Sequence, residues 1–311
     1  MPLLSALAVV APVFALVAIG FAVARLRLVG SEAGNGLSEY VFVLAIPALL
    51  FRTVSGAKLP DINPVPHWVT YFAALAICWA IANWAAARMG RDAREAAIVG
   101  FSAGQANTVL VGIPMILGTM GERGTLPAIL IIAIHLPITM TVVTLLIARG
   151  EKGGGSLLGL MRSLVTHPIL VAIFAGILWR SSGMATPELV AKVLKFIADT
   201  AAPCALIAMG MSMTKVSFAG HRRLIVLVTA LKLVLHPVLV YILGVHVFHL
   251  PPAYSGAAIL FAACPTGINA YLVAERYRSG GAIASGSIAL STILAVFTMT
   301  VAVSVVMTML H

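Results

Sequence analysis

What this chain has least of is charge. Only 10% of its 311 residues are Asp, Glu, Lys or Arg, while 61% are hydrophobic, and the mean hydropathy is +1.06. A water-soluble surface cannot be assembled from that composition, so soluble globular classes are excluded and lipid becomes the solvent. Ten acidic residues stand against twenty basic ones, for a formal net charge of +10. Gathered on one domain, such an excess would suggest nucleic acid; here the basic residues stand singly between apolar runs, and no nucleic-acid partner is expected. Cysteine is nearly absent too. Cys78, Cys204 and Cys264 all lie inside apolar runs, where small packing residues are expected rather than disulfides or metal ligands. The chain is read as lacking a His-Glu-x-x-His zinc motif, an Asp-rich diphosphate motif and a Gly-x-Ser-x-Gly turn, so no enzymatic activity, cofactor or metal is expected. The first apolar run starts at Leu3 with no basic stretch before it, and Arg25 and Arg27 follow it, unlike a cleaved signal peptide.

Apolar runs long enough to cross a hydrocarbon core of about 30 Å, roughly 20 residues each, fill nearly the whole chain. Punctuated by Gly, Pro and charge, they predict spans near 3–24, 37–54, 67–88, 95–120 and 126–148. After a glycine-rich stretch from Arg149 to Gly155, further spans fall near 166–181, 188–213, 223–248, 254–277 and 283–309. The expected fold is all-α and integral to the membrane, with ten transmembrane helices. Residues 1–148 form a first repeat, 149–165 a cytoplasmic connector and 166–311 a second repeat.

Orientation follows from the basic residues, which short cytoplasmic loops carry in excess. One side holds Arg25, Arg27, Arg88, Arg91, Arg94, Arg149, Lys152, Arg162, Lys215, Arg222, Arg223, Arg276 and Arg278, thirteen in all. The other holds Arg52, Lys58, Arg123, Arg180, Lys192 and Lys195, six at most, and Lys232 falls inside span 8. The thirteen are placed in the cytoplasm, so both termini face outward. Five spans per half make the second half enter from the opposite side, as inverted repeats do.

The halves share punctuation. Span 2 carries Ala45-Ile46-Pro47-Ala48-Leu49 and span 7 Ala201-Ala202-Pro203-Cys204-Ala205. Span 4 reads Gly104-Gln105-Ala106-Asn107-Thr108 before Gly112 and Pro114, and span 9 reads Cys264-Pro265-Thr266-Gly267-Ile268-Asn269. Glycine and proline free backbone groups that need internal partners or a water-lined cavity in lipid. Two interrupted helices meeting at the midplane satisfy that need and present half-helix ends whose N–H groups favour an anion. Asn107, Thr108, Thr266 and Asn269 would add neutral donors and acceptors there, and Gly112, Pro114 and Pro265 complete the candidate substrate site. The competing reading is that these residues only provide kinks and close packing.

Ionisable groups at membrane depth are costly and often functional. Lys232 lies about 12 Å along an ideal helix from the cytoplasmic end; it either snorkels or pairs structurally, or else attracts the substrate anion or couples transport to protons. Asp199 follows Lys195 by one helical turn and can pair with it near the outer surface. His135 and His236 stand beside Pro137 and Pro237, where a ring N–H can bond carbonyls freed by the kink, with proton coupling the second reading. Glu39 lies close enough to the boundary to be hydrated. Arg52 closes span 2 at the outer side and either guides anions or anchors the helix.

The segments Gly20 to Arg27, Gly36-Leu37-Ser38 and Ala45-Ile46-Pro47-Ala48-Leu49-Leu50-Phe51 resemble the first two helices of the auxin efflux carrier family. That family includes plant auxin exporters and bacterial permeases for malonate and malate. Ala106-Asn107-Thr108-Val109-Leu110-Val111-Gly112-Ile113-Pro114 resembles its fourth helix. The strongest match, to its ninth, is Cys264-Pro265-Thr266-Gly267-Ile268-Asn269-Ala270-Tyr271-Leu272-Val273-Ala274-Glu275-Arg276-Tyr277. His167-Pro168 departs from the Asn-Pro often found where span 6 opens. The resemblance covers essentially the whole chain. It implies a fold like that of sodium/bile-acid symporters, with helices 4 and 9 crossing at their breaks to form the substrate site. It further implies a scaffold that moves against a panel, a homodimer, and organic mono- or dicarboxylates as substrates.

The expected function is therefore secondary transport of small organic anions by alternating access in a bacterial inner membrane. Coupling to protons or sodium is left open. An anion channel is the nearest alternative, since broken helices also build pores, and a membrane-embedded enzyme is the more distant one.

Overall fold

The computed structural model describes residues 2–30, 32–56, 63–149, 166, 168–215 and 221–310. Residues 150–165 of the expected connector, with Lys152 and Arg162, and also Lys58 and His167, lie outside the described residues. Among the described residues the chain is all helix; its single β feature is an isolated bridge. Lipid imposes this, because a helix satisfies its own backbone where no water can.

The helices run in the order α1 (Pro2–Arg25), α2 (Ala33–Tyr40), α3 (Ile46–Gly56), α4 (Val65–Arg88), α5 (Ala93–Gly104), α6 (Ile113–Met120) and α7 (Thr125–Arg149). They continue with α8 (Pro168–Ser181), α9 (Glu188–Asp199), α10 (Ala201–Ser212), α11 (Arg222–Ala230), α12 (His236–Tyr241), α13 (Pro252–Ala263), α14 (Asn269–Arg276) and α15 (Gly281–Leu310). Among the described residues, seven segments are long and apolar enough to cross a membrane: Leu4–Arg25, Ala33–Gly56, Val65–Arg88, Thr108–Ile147, Glu188–Ser212, Arg222–Val247 and Gly281–Leu310. Pro168–Ser181 and Pro252–Ala263 are apolar but shorter. Expected spans 4 and 5 run together in the 40-residue stretch Thr108–Ile147, which a 3₁₀ turn at Gly121–Gly124 divides. Phe174, Leu178, Leu189, Phe196 and Phe297 are exposed on the outer faces, an apolar surface that lipid, not water, accommodates.

Prolines shape these helices by a recurring device. Wider π turns at Val41–Ala45, Thr108–Gly112 and Leu231–Leu235 precede Pro47, Pro114 and Pro237. A proline ring presses on the carbonyl four residues earlier, and in each case that carbonyl (Val43, Leu110, Leu233) belongs to the π turn, which makes room for it. Pro203 is handled differently: α9 ends at Asp199, and Pro203 sits in the first turn of α10.

Two packed sets of helices emerge. One comprises α1, α2, α3, α8, α9 and α10; the other comprises α4, α5, α7 and α11 to α15, and α1 against α15 is the main contact between them. Glycine permits the tightest approach in the first set. A Cβ on Gly20 would strike the Ile207 carbonyl, and one on Gly210 the Val17 carbonyl, so α1 and α10 touch backbone to backbone, as small residues allow in membranes. The three cysteines are free, with Cys78 and Cys264 buried.

Candidate functional site

Each of the two glycine- and proline-rich segments interrupts a helix, and the interruptions meet. α5 is capped by Asp92, whose carboxylate accepts from Glu95 N at 2.8 Å, and stops at Gly104 because Gln105 turns to an extended backbone, φ −76° and ψ 105°. α13 stops at Ala263 in the same way, with Cys264 at φ −58° and ψ 146°. Between the interruptions, Ala106 pairs with Thr266 in the isolated antiparallel bridge. Asn107 N donates to Pro265 O at 2.8 Å, and Gly267 N to Gln105 O at 2.8 Å. Each break thus supplies a partner for one backbone N–H of the other, which lowers the cost of irregular backbone at membrane depth.

Side chains lock the arrangement. Asn107 Oδ1 accepts from Leu110 N at 3.2 Å, capping the helix that resumes through Thr108–Gly112 into α6, and Asn107 Nδ2 reaches Met209 Sδ of α10 at 3.3 Å. Thr266 Oγ1 donates to Ser102 O at 3.2 Å, and Thr266 N donates to Ser291 Oγ of α15 at 3.0 Å. Close approach explains the glycines. A Cβ on Gly267 would lie 2.8 Å from the Ala106 carbonyl oxygen, and one on Gly112 would lie 2.6 Å from the Phe261 ring.

Of the residues named from sequence for the substrate site, Asn107, Thr108, Gly112, Pro114, Pro265 and Thr266 are buried around this bridge, and Asn269 is half-buried at the start of α14. Asn107 and Thr266 are not idle donors, since both are engaged in holding the breaks. Pro114 does not itself break the helix; it lies in the first turn of α6, after the π turn. Sequence reasoning missed Gln105, which stands in the first break, is 1% exposed and has an unpartnered Oε1 among the described residues. Its position inside the quoted motif was the available signal. Ser102, Met209 and Ser291 gave none, being single residues in helical runs.

The remaining candidates lie elsewhere. Arg52 and Asp199 face each other at 3.7 Å, and Asp199 also takes Lys195 at 2.5 Å. These groups are all substantially exposed, which makes the contacts weak. With Glu122, Arg52 and Asp199 line a cleft of about 680 Å³ between the two helix sets, bounded by α3, α6, α7, α9 and α10. Lys232 does not snorkel. It is 0% exposed, on the π turn that precedes α12, with Nζ donating to Ala262 O at 2.5 Å and facing His236 Nδ1 at 3.2 Å. His135 departs from the expected role: neither ring nitrogen has a hydrogen-bond partner among the described residues, and its carbonyl instead accepts from Thr139 Oγ1 at 2.7 Å. The ring is held among aromatic faces, 5.6 Å from Tyr71 and 6.2 Å from Phe72. Glu39 is exposed.

The letters Gly100-Phe101-Ser102-Ala103-Gly104 do spell Gly-x-Ser-x-Gly, contrary to the expectation from sequence. They form no nucleophile turn. The pentad is the interior and end of α5, and Ser102 is buried with Oγ donating to Ile98 O at 2.8 Å, whereas the hydrolase motif needs its serine exposed on a strand-to-helix turn.

The family model described as "Membrane transport protein" matches residues 5–303. A relative from Rhizobium meliloti (strain 1021), described as a putative malonate transporter, is 28% identical over 296 residues, 94% of this chain and 92% of its own. An uncharacterized transporter from Methanothermobacter thermautotrophicus is 26% identical over 237 residues, covering 73% of this chain and 74% of its own. These relatives are named as transporters, not enzymes. With a helical, apolar body and a family match along nearly its whole length, the chain belongs to the membrane transport protein family, that of the auxin efflux carriers.

Proposed function

We propose that this transporter carries small organic carboxylates by alternating access, with malonate and malate the first candidates and auxin-like acids the next. The observation that carries the reading is the bridge between Ala106 and Thr266, which brings the four half-helix ends of two interrupted helices to one buried point. Two of those ends are N-termini, where the positive end of the helix dipole favours an anion. Asn107, Thr108, Gly112, Pro114, Pro265, Thr266 and Asn269 surround it, and the carboxylate is assigned to the side of Asn107 and Asn269. The likeness to a relative named as a malonate transporter supports the choice of first substrate.

The same reading takes the chain as ten spans in two inverted five-helix repeats, over 1–148 and 166–311, joined by a cytoplasmic connector with both termini outward. The broken pairs α5–α6 and α13–α14 then hold equal rank in their repeats and cross at the bridge. The set containing α1 and α10 serves as the panel against which the other set moves. Each protomer of a homodimer in the inner membrane holds its own site.

The test is counterflow of labelled malonate, malate and indole-acetate in proteoliposomes. Asn269→Ala is the cleaner variant, because Asn269 lies outside the bonds that knit the bridge; Asn107→Ala also removes a cap. Both are expected to lower malonate counterflow at least about tenfold, the loss of roughly one hydrogen bond to a charged group, while the protein elutes as a folded species. Undiminished counterflow in both variants would sink the site assignment. Unitary conductance steps in planar bilayers would replace the carrier with a channel.

A further inference from the structure

The substrate site leaves one cluster of titratable side chains unused. Lys232 is 0% exposed, and its Nζ donates to the carbonyl of Ala262 at 2.5 Å. Ala262 is the penultimate residue of α13, three residues before Pro265, whose own carbonyl accepts from Asn107 N. The ammonium is therefore bonded to the C-terminal end of the half-helix whose tip forms the bridge. That end carries the negative pole of the helix dipole, so a cation there holds the half-helix more strongly than a neutral amine does.

Among the described residues, the groups around Lys232 contain no carboxylate. Its own segment supplies His236, with Nδ1 at 3.2 Å. α4 supplies Tyr71, whose ring lies 5.2 Å from that of His236 and whose Oη is unpartnered among the described residues, and Cys78, whose Sγ meets Leu231 O. α7 supplies His135, both ring nitrogens unpartnered among the described residues, and the residue after α13 is Cys264. α15 has no titratable residue. Those of α5 and α11 (Arg94, Glu95, Arg222 and Arg223) are confined to first turns, where Glu95 pairs with Arg91. A buried ammonium without a carboxylate counter-ion is expensive by itself, and an anion nearby offsets that expense.

From this geometry we infer that Lys232, with His236 beside it, is a proton-binding site that couples carboxylate transport to proton symport. With the anion at the bridge, Lys232 is –NH₃⁺, donating to Ala262 O and His236 Nδ1. Once the anion leaves, one N–H bond of Lys232 breaks and its proton departs to water on the side to which the site is open. The neutral amine keeps a weaker bond to Ala262, and the empty carrier returns uncharged at this position. Substrate and proton favour each other's binding by the same factor, as linkage requires. The carbonyl of Ala262 is the physical link, through Cys264 and Pro265, to Asn107. The π turn that carries Lys232 is a device that recurs at functional sites.

This inference rests on the carboxylate reading of the bridge, and one preparation separates the two. Proteoliposomes are loaded with malonate for counterflow, which needs no coupling. The same protein, in empty vesicles, is given an outside-acid pH gradient with the membrane potential clamped. The wild type is expected to accumulate malonate at least tenfold and to acidify an internal pyranine reporter as malonate enters. Lys232→Arg keeps a charge that cannot be lost; it is expected to retain counterflow within about threefold and to lose gradient-driven accumulation. Lys232→Gln, neutral as the returning carrier is, is also expected to lose gradient-driven accumulation and, without the charge, to need a higher malonate concentration for counterflow. Intact counterflow in the wild type with no pH-driven accumulation and no pyranine signal would overturn proton coupling and leave the carboxylate reading standing. Absence of malonate counterflow in the wild type would overturn both. Gradient-driven accumulation undiminished in Lys232→Gln would place the proton elsewhere. Should neither variant fold, the wild-type pyranine signal and accumulation decide.

Discussion

At the first break Asn107 caps the helix that follows it, accepting from Leu110 only three residues on, whereas at the second break Thr266 reaches away from its own helices, to Ser102 of α5 and Ser291 of α15. The first is held largely by its own sequence and by a π turn that makes room for Pro114. The second is held by two other helices. Their glycines differ in the same sense. Gly267 faces backbone of the opposite break, while Gly112 faces the ring of Phe261 and the sulfur of Cys264. A local break survives movement of its neighbours, and one built from tertiary bonds reports that movement. The second break is thus the one whose geometry is tied to the position of α15 and, through Lys232, to the charge on the segment before α12.

Substitutions can break or sharpen this contrast. The largest effect is expected from Gly267→Ala, whose Cβ would sit 2.8 Å from Ala106 O and 3.3 Å from Asn107 N, both in the bridge. Overpacking against fixed backbone should destabilise by about 3 kcal/mol, read as a lowered midpoint of thermal unfolding in detergent, with transport lost. Ser291→Ala comes next. It leaves the buried N–H of Thr266 without an acceptor, for about 2 kcal/mol, and malonate counterflow should fall with it. Gly112→Ala should cost least, about 1 kcal/mol, because an aromatic ring can turn where a carbonyl cannot. Should Gly112→Ala prove more damaging than Gly267→Ala in the same melt, the assignment of a locally held first break and a tertiary second break would be reversed.

Much of this was legible in the residues. Gly104 to Thr108 and Cys264 to Asn269 announced two interruptions, because glycine and proline are what a membrane helix uses to stop. Membrane embedding followed from charge scarcity alone. The roles inside the breaks were less legible. Asn107 and Thr266 are legible as polar residues beside a break, and the structure adds that their side chains hold the bridge; a single polar residue in a motif does not say whether its partner is a ligand or a backbone group. His135 was expected to satisfy a carbonyl loosened by Pro137, yet its ring faces Tyr71 and Phe72 instead. Ring direction depends on which helices pack nearby, and one helix's letters do not encode that. The pentad ending at Gly104 teaches the converse: a motif defined by a strand-to-helix turn means nothing inside a helix.

By itself the sequence determined that this protein lives in lipid as helices and that two of those helices are interrupted, because hydropathy and the missing N–H of proline act on each segment alone. Only the tertiary structure decided that the interruptions pair with each other, that α1 and α10 meet backbone to backbone through Gly20 and Gly210, and that Lys232 ends on the carbonyl of Ala262 rather than in the headgroups. Those outcomes depend on which freed backbone group finds which partner across the fold. In a solvent that offers no hydrogen bonds of its own, that choice is made by packing between helices, not within them.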